Sequence, residues 1–239
     1  MSESGSGVGS GVGSGGGSGN GGGNGSGHGS GGGLRERKKR RMYETVSDVA
    51  IRLFLEKGFD AVSVAEVAAA AEISKPTLFR YFPAKEDLVL YRIADHEDET
   101  ARVVAGRAEG ESVVGAVRAH FLDGLARRDP VTGLSDHPQV LAFHRLLYGT
   151  PSLVARAYGH LERAESALAE VLGGGLDARV AAGQIVTVRR VLAEENRRRV
   201  ERGDPLEEVE RDAVTAAERV FGRLEGALPL GMRGGGRRG

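Results

Sequence analysis

Residues 63–82 read SVAEVAAAAEISKPTLFRYF, and the punctuation of this stretch decides the fold. Ser63 stands three residues ahead of Glu66, so hydroxyl and carboxylate can cap each other's backbone N–H groups and open a helix. Val64, Val67, Ala68 and Ala71 give that helix one apolar face, and the alanines let a second helix approach closely. Glu72 and Ile73 predict a tight turn, after which Ser74 caps a further helix. The first turn of that helix tolerates Pro76 because its N–H groups have no intrahelical partner. Ile73, Leu78 and Phe82 fall on its inward side. Two short helices joined this way make a helix-turn-helix over Ser63–Phe82.

Working outward, apolar residues keep a helical period almost everywhere from Met42, and no alternating run of β-branched residues reads as a strand. The fold class is therefore all-α. A first helix over Met42–Lys57 places Val46, Val49, Ala50, Leu53 and Phe54 on one face; Gly58 ends it and Phe59 closes the cap. After Pro83 a fourth helix is expected from about Lys85 to Val104. Later helices are expected near 112–127, 138–148, 152–172, 177–202 and 206–227. Asp129-Pro130 with Gly133, Thr150-Pro151, Gly173-Gly174-Gly175 and Gly203-Asp204-Pro205 separate them. The last two carry stripes that include Val180, Ile185, Val188, Val191 and Leu192, then Leu206, Val209, Ala213, Val220, Phe221 and Leu224. Joined by so short a link, they form an antiparallel hairpin.

Composition narrows the function. The first 33 residues hold 18 Gly and 8 Ser, too little apolar surface to offset ordering, so residues 1–34 read as a disordered tail, as do the Gly- and Arg-rich residues 229–239. No signal-peptide core or run of 18 apolar residues is present, and the expected location is cytoplasmic, away from membranes. The absence of Cys excludes disulfides, thiolate nucleophiles and Cys-based zinc sites. Charge sums to zero over the chain but not along it: residues 34–85 carry 11 Lys and Arg against 7 Asp and Glu. Arg35, Arg37, Lys38, Lys39, Arg40 and Arg41 supply most of that excess. Phosphate-loop, nucleophile-elbow, zinc-protease and dinucleotide patterns are all missing. His96 sits among Asp95, Glu97 and Asp98, but consecutive residues point to different helix faces, so no metal site is expected. Nothing in the sequence calls for a cofactor or an enzyme.

The segment AIRLFLEKGFDAVSVAEVAAAAEISKPTLFRYFPAKEDLVL, residues 50–90, resembles the amino-terminal domain of TetR-type repressors along its whole length. The match lies in an ordered set: an apolar helix ending in Lys-Gly-Phe, a Ser-capped helix, then ISKPTLFRYFPAKEDL. The resemblance implies a DNA-binding head over residues 35–100, whose helix from Lys85 links it to a helical regulatory and dimerisation body over residues 101–228. It implies that Ser74, Lys75, Pro76 and Thr77 face operator DNA, with Phe79, Arg80, Tyr81 and Lys85 beside them and Lys85 on a phosphate. Where family members commonly carry Tyr, this chain has Phe79, which leaves packing or contact with a thymine methyl. Where they often carry a Ser cap, it has Ala84.

The basic run 35–41 then reads as an arm that follows phosphates or the minor groove. Tyr91, Phe121, Phe143, His144, Tyr148 and Tyr158 are candidates for a small-molecule pocket. In the family reading the terminal hairpin pairs with its two-fold mate through Val188, Leu192, Val220, Phe221 and Leu224. The function implied is a homodimeric regulator of a palindromic operator, a repressor released by a small-molecule effector. The alternative is a DNA-binding regulator or architectural factor of the same fold without an effector.

Overall fold

The computed structural model describes residues 30–94 and 96–228, with side chains from Arg37 onward. Residues 1–29 and 229–239, both expected to be disordered, lie outside the described residues. The chain divides into two units, Met1–Lys38 and Lys39–Gly239. The described residues form ten α-helices: α1 (Ser30–Lys57), α2 (Val64–Ala70), α3 (Lys75–Tyr81), α4 (Asp87–Ala94), α5 (Glu99–Ala105), α6 (Val113–Ala126), α7 (Pro138–Gly149), α8 (Pro151–Val171), α9 (Gly175–Glu201) and α10 (Leu206–Ala227). A 3₁₀ turn, Pro130–Thr132, joins α6 to α7. The all-α expectation holds.

Two boundaries differ from those read in the sequence. The first helix begins at Ser30 rather than Met42, so residues 30–34 belong to a helix and not to the tail. Once a helix is nucleated, each added residue gains a hydrogen bond for one fixed conformation, which carries the backbone through poor helix formers such as Gly31–Gly33. The helix expected from Lys85 to Val104 starts at Asp87 and is broken between Ala94 and Glu99. There the N–H groups of His96 and Glu97 reach back only three residues, to Ile93 and Ala94. In the acidic run that follows, Glu97 pairs with side chains of α8 and Glu99 with Arg189 of α9, while Asp98 pairs with Arg102 of α5.

Where the punctuation was clear, the geometry follows it. Gly58 takes φ 91 and its N–H donates to the Phe54 carbonyl at 2.9 Å, which ends α1 in a left-handed cap. The Phe59 ring, buried, sits 4.9 Å from that of Phe54. Gly203 closes α9 the same way, and α9 and α10 form the antiparallel hairpin.

The apolar core lies in two clusters. The head cluster gathers Val46, Ala50, Phe54, Val62, Val67, Leu78, Phe82, Leu88 and Leu90, and draws in Leu146, Leu147 and Leu153 from α7 and α8. Buried Ser47 adds a polar tie, its hydroxyl donating to the Leu88 carbonyl at 2.7 Å and fixing α1 to α4. The second cluster fills α6, α8, α9 and α10 with Val117, Phe121, Leu125, Leu168, Ile185, Val209 and Phe221. At its edge Gly133 (φ 76) lets the turn before α7 touch α9: a Cβ there would lie 2.0 Å from the Ala193 carbonyl oxygen. Asn196 secures the approach, donating to the Thr132 carbonyl at 2.9 Å.

These two glycines separate strain from contact. Gly58→Ala meets nothing within 4 Å and should cost only the left-handed backbone, about 1–2 kcal/mol. Gly133→Ala should cost that and about 1–3 kcal/mol more for forcing two backbones apart. Urea unfolding of the two variants against the parent protein reads the difference.

Candidate nucleic-acid interface

The interface is assembled by caps. The Ser63 hydroxyl accepts from the Glu66 N–H at 3.1 Å and opens α2. Glu66 does not rest on its own helix: its carboxylate takes the Lys57 ammonium at 2.5 Å, tying the end of α1 to the start of α2. That bond raises the Lys57 pKa and lowers the Glu66 pKa, each through the other's hydrogen bond. α2 ends as the Ile73 N–H reaches the Ala68 carbonyl (3.0 Å) and the Glu72 N–H that of Ala69 (3.1 Å). This is a Schellman closure in which Glu72, at φ 55, takes the place usually held by glycine.

α3 then starts on Ser74, whose hydroxyl accepts from the Thr77 N–H at 3.2 Å and pairs with the Thr77 hydroxyl at 2.8 Å. Leu78 faces inward, fully buried. Ser74, Lys75, Pro76, Phe79 and Arg80 face outward and Thr77 is half-buried, so the residues expected at DNA share one exposed face at the start of α3. Lys75 Nζ lies 5.9 Å from the centre of the Phe79 ring. The Arg80 guanidinium stacks 5.2 Å from the ring of half-buried Tyr81, which meets Tyr43 edge to face at 5.1 Å.

Two expected contacts are placed differently. Lys85 is turned into the head, where it donates to the Phe59 carbonyl and lies over the Phe59 and Phe54 rings at 4.4 and 5.4 Å. Half-buried, it bolts the turn before α4 to the turn after α1 instead of reaching outward. The basic run lies within α1 and is helical. Arg37, Lys38, Lys39, Arg40 and Arg41 are exposed, but a helix turns each about 100° from the last and so spreads them round its axis. The side chain of Arg35 lies outside the described residues. The missing cap at Ala84 is made good by Asp87, which accepts the Ala84 N–H at 3.0 Å.

The polar groups that sequence reading missed stand where α4 meets the body. Asp87 receives Arg156 of α8 in a two-point bridge, 2.5 and 2.8 Å. Glu97 receives Arg163 of α8 at 2.8 and 3.0 Å and also pairs with His160. Glu99 meets Arg189 of α9 at 3.3 Å, with His96 and His120 each 3.5 Å away. Burial works to raise the Glu97 carboxyl, but the hydrogen bonds from Arg163 and His160 outweigh it and hold it low. At Glu99 the His96 hydrogen bond, opposed by burial and helped by Arg189, holds the carboxyl at about 2. Only the acidic run hinted at this; partners 60 to 90 residues away carry no local signal.

The pocket set does not enclose one space. Tyr91 is stacked on Tyr43 (5.2 Å) in the head cluster, while Phe121 packs on Phe221 (5.9 Å) in the body. Phe143, His144 and Tyr148 run along α7, with Tyr148 under Arg197 at 4.0 Å. Tyr158 is 55% exposed on α8. It borders an open, polar cleft of about 400 Å³ with Asp87, Arg156, His160 and Arg163. Aromatic residues at helical spacing served two separate cores rather than one cavity.

The dimer set is corrected too. Phe221 is fully buried within its own chain, and Leu192 and Leu224 are nearly so. The exposed apolar stripe lies one residue round α9: Leu176 (74%), Val180 (52%) and Val191 (49%), with Thr187 between them. Beside it runs a shallow groove of about 440 Å³ lined by Val180, Gly183, Gln184, Thr187, Val188 and Leu224.

A capped helix pair presenting one helix face to solvent, on an all-helical body, defines a helix-turn-helix protein. Residues 47–91 match the model of bacterial regulatory proteins of the tetR family. It is 32% identical over 141 residues to the HTH-type transcriptional regulator TcmR of Streptomyces glaucescens, a match covering 59% of this chain and 62% of TcmR. Its matches span less than two thirds of the length of such curated relatives. Among solved structures, SmeT in complex with triclosan superposes with a TM-score of 0.52, at 16% identity over 77% of this chain and 91% of SmeT. Salmonella enterica GusR does so with 0.50, at 16% identity over 79% and 95%. At that identity the likeness is one of fold.

The acidic corner gives a pH signature. Glu99 titrates at about 2 in the folded chain against an ordinary 4.5, so its stabilisation is complete above about 4.5 and is lost as pH falls towards 2. Glu99→Gln should lower stability at pH 7 by about 1–3 kcal/mol, the worth of hydrogen bonds to a charged group. The two proteins should converge as pH falls through about 2. Thermal melts across that range measure the gap.

Proposed function

We propose that this protein is a sequence-specific DNA-binding transcriptional regulator that grips a palindromic operator as a homodimer. The observation that carries the reading is the outward face of α3, where Lys75 and Phe79 project from a helix held by its caps, with Leu78 anchoring it from behind. A short, rigid helix of this kind fits the major groove, where its side chains meet base edges. Ser74, Pro76 and Thr77 shape the start of that helix, and Arg80 and Tyr81 lie towards the phosphates. The exposed cations at 37–41 add charge attraction without sequence preference.

For assembly, the α9 stripe Leu176, Val180, Thr187 and Val191 supports pairing of the hairpin with a second copy, with Val188 and Val220 at its border. Leu176, Val180 and Val191 are 74, 52 and 49% exposed in the single chain, which is what a two-fold bundle would cover.

Repression with release by a small molecule is the finer part of the proposal. The cleft between α4 and α8 supports it, because a ligand there meets Arg156 and Arg163, the residues that hold α4 to the body. SmeT, of the same fold, is in complex with triclosan, so aromatic compounds are the first to screen. To weaken operator binding a hundredfold, a ligand must favour the non-binding state by about 2.7 kcal/mol, a size usual for coupled sites.

Lys75→Ala should lower affinity for the selected operator by about 1–3 kcal/mol while circular dichroism stays unchanged. Unchanged affinity would remove α3 as the reading element. Val180→Arg with Val191→Arg should give monomers by light scattering, and a fully dimeric double variant would move the interface off α9. Any effector must bind less tightly in the presence of operator, by the same factor that it weakens DNA binding. Equal affinity in both states excludes that compound.

A further inference from the structure

We propose that Phe79 is a specificity-determining residue that reads a thymine methyl in the major groove, beside a guanine taken by Lys75. The proposal rests on the DNA-binding reading of α3 and goes beyond it by assigning the bases.

The argument is one of elimination on the exposed face of α3. The Ser74 hydroxyl is already bonded to the Thr77 N–H and to the Thr77 hydroxyl, so both side chains serve the cap. Pro76 has no N–H to give. Arg80 lies over the Tyr81 ring, and Lys85 is bonded to the Phe59 carbonyl inside the head. Beside Arg80, which is drawn to the Tyr81 ring, α3 presents outward the Lys75 ammonium and the Phe79 ring.

Phe79 is not a core residue. It is 41% exposed, whereas Phe54, Phe59 and Phe82 in the same head are 7% exposed or less. Without a hydroxyl, its ring offers DNA apolar area alone, and the apolar feature of the major groove is the C5-methyl of thymine. Lys75 sits one turn earlier, its ammonium 5.9 Å from the ring centre. That is within the range of cation–π attraction, which steadies both groups. Base pairs rise about 3.4 Å each, so the two groups address positions no more than two base pairs apart. An ammonium finds paired acceptors at guanine N7 and O6. The half-site should therefore contain a thymine and a guanine within two base pairs of each other, on either strand.

The test uses the full chain and duplex operators selected from a random library. Each thymine is then replaced in turn by uracil, which removes only the methyl. One thymine per half-site should lose roughly fourfold in affinity, the worth of one buried methyl, and both together roughly sixteenfold. Phe79→Ala should bind the thymine operator that much less tightly and should no longer distinguish thymine from uracil. Phe79→Leu, which keeps an apolar side chain, should retain part of the discrimination. Lys75→Ala should relax the guanine preference and leave the thymine preference in place. Specific binding with no thymine–uracil difference, or with one that Phe79→Ala leaves intact, overturns the assignment while the DNA-binding reading stands. Failure to select any duplex overturns both.

Discussion

Three carboxylates facing four body side chains set the arrangement of the molecule. Asp87, Glu97 and Glu99 flank or follow α4, and Arg156, His160, Arg163 and Arg189 come to meet them from α8 and α9. A single exposed ion pair contributes little, about 0–1 kcal/mol. Two of these are two-pointed, and Glu97 and Glu99 each face more than one cationic or imidazole partner, with Arg189 itself largely buried. They stand on both sides of the break between α4 and α5, and the Asp87–Arg156 bridge ties α4 to α8. The apolar head cluster then crosses the same junction through Leu146, Leu147 and Leu153.

How much of this was legible depends on the range of the signal. Ser63, Ser74, Gly58 and the Gly203-Asp204-Pro205 link each act on the few residues next to them, and each was placed within a residue or two. The inward residues of the head, Leu78 and Phe82, also followed from helical period. The broken helix did not: the apolar period runs on either side of residues 95–98 with no Gly or Pro between, and the partners of Glu97 and Glu99 on α8 and α9 are far along the chain. Lys85 shows the same limit at a single residue, since nothing near it announces that the Phe59 carbonyl and ring are within reach.

The aromatic and apolar sets failed for a related reason. Period identifies which residues a helix turns inward, not which neighbour they meet. Tyr91 and Phe121 both read as buried aromatics, yet one completes the cluster around Tyr43 and the other packs on Phe221. On α9 the stripe containing Leu192 and the stripe containing Val191 differ by one position, about 100°. A pattern of Val, Ala and Leu around most of that helix left the choice of outer face to tertiary packing.

The close approach at Gly133 divides the body mechanically. With the backbones in contact at Ala193 and Asn196 holding Thr132, the stretch between α6 and α7 cannot slide along α9 without parting from it. No layer of side chains is left there to deform. The turn is thus held to the long α9–α10 hairpin by backbone contact, whereas α4 is held to α8 by side chains.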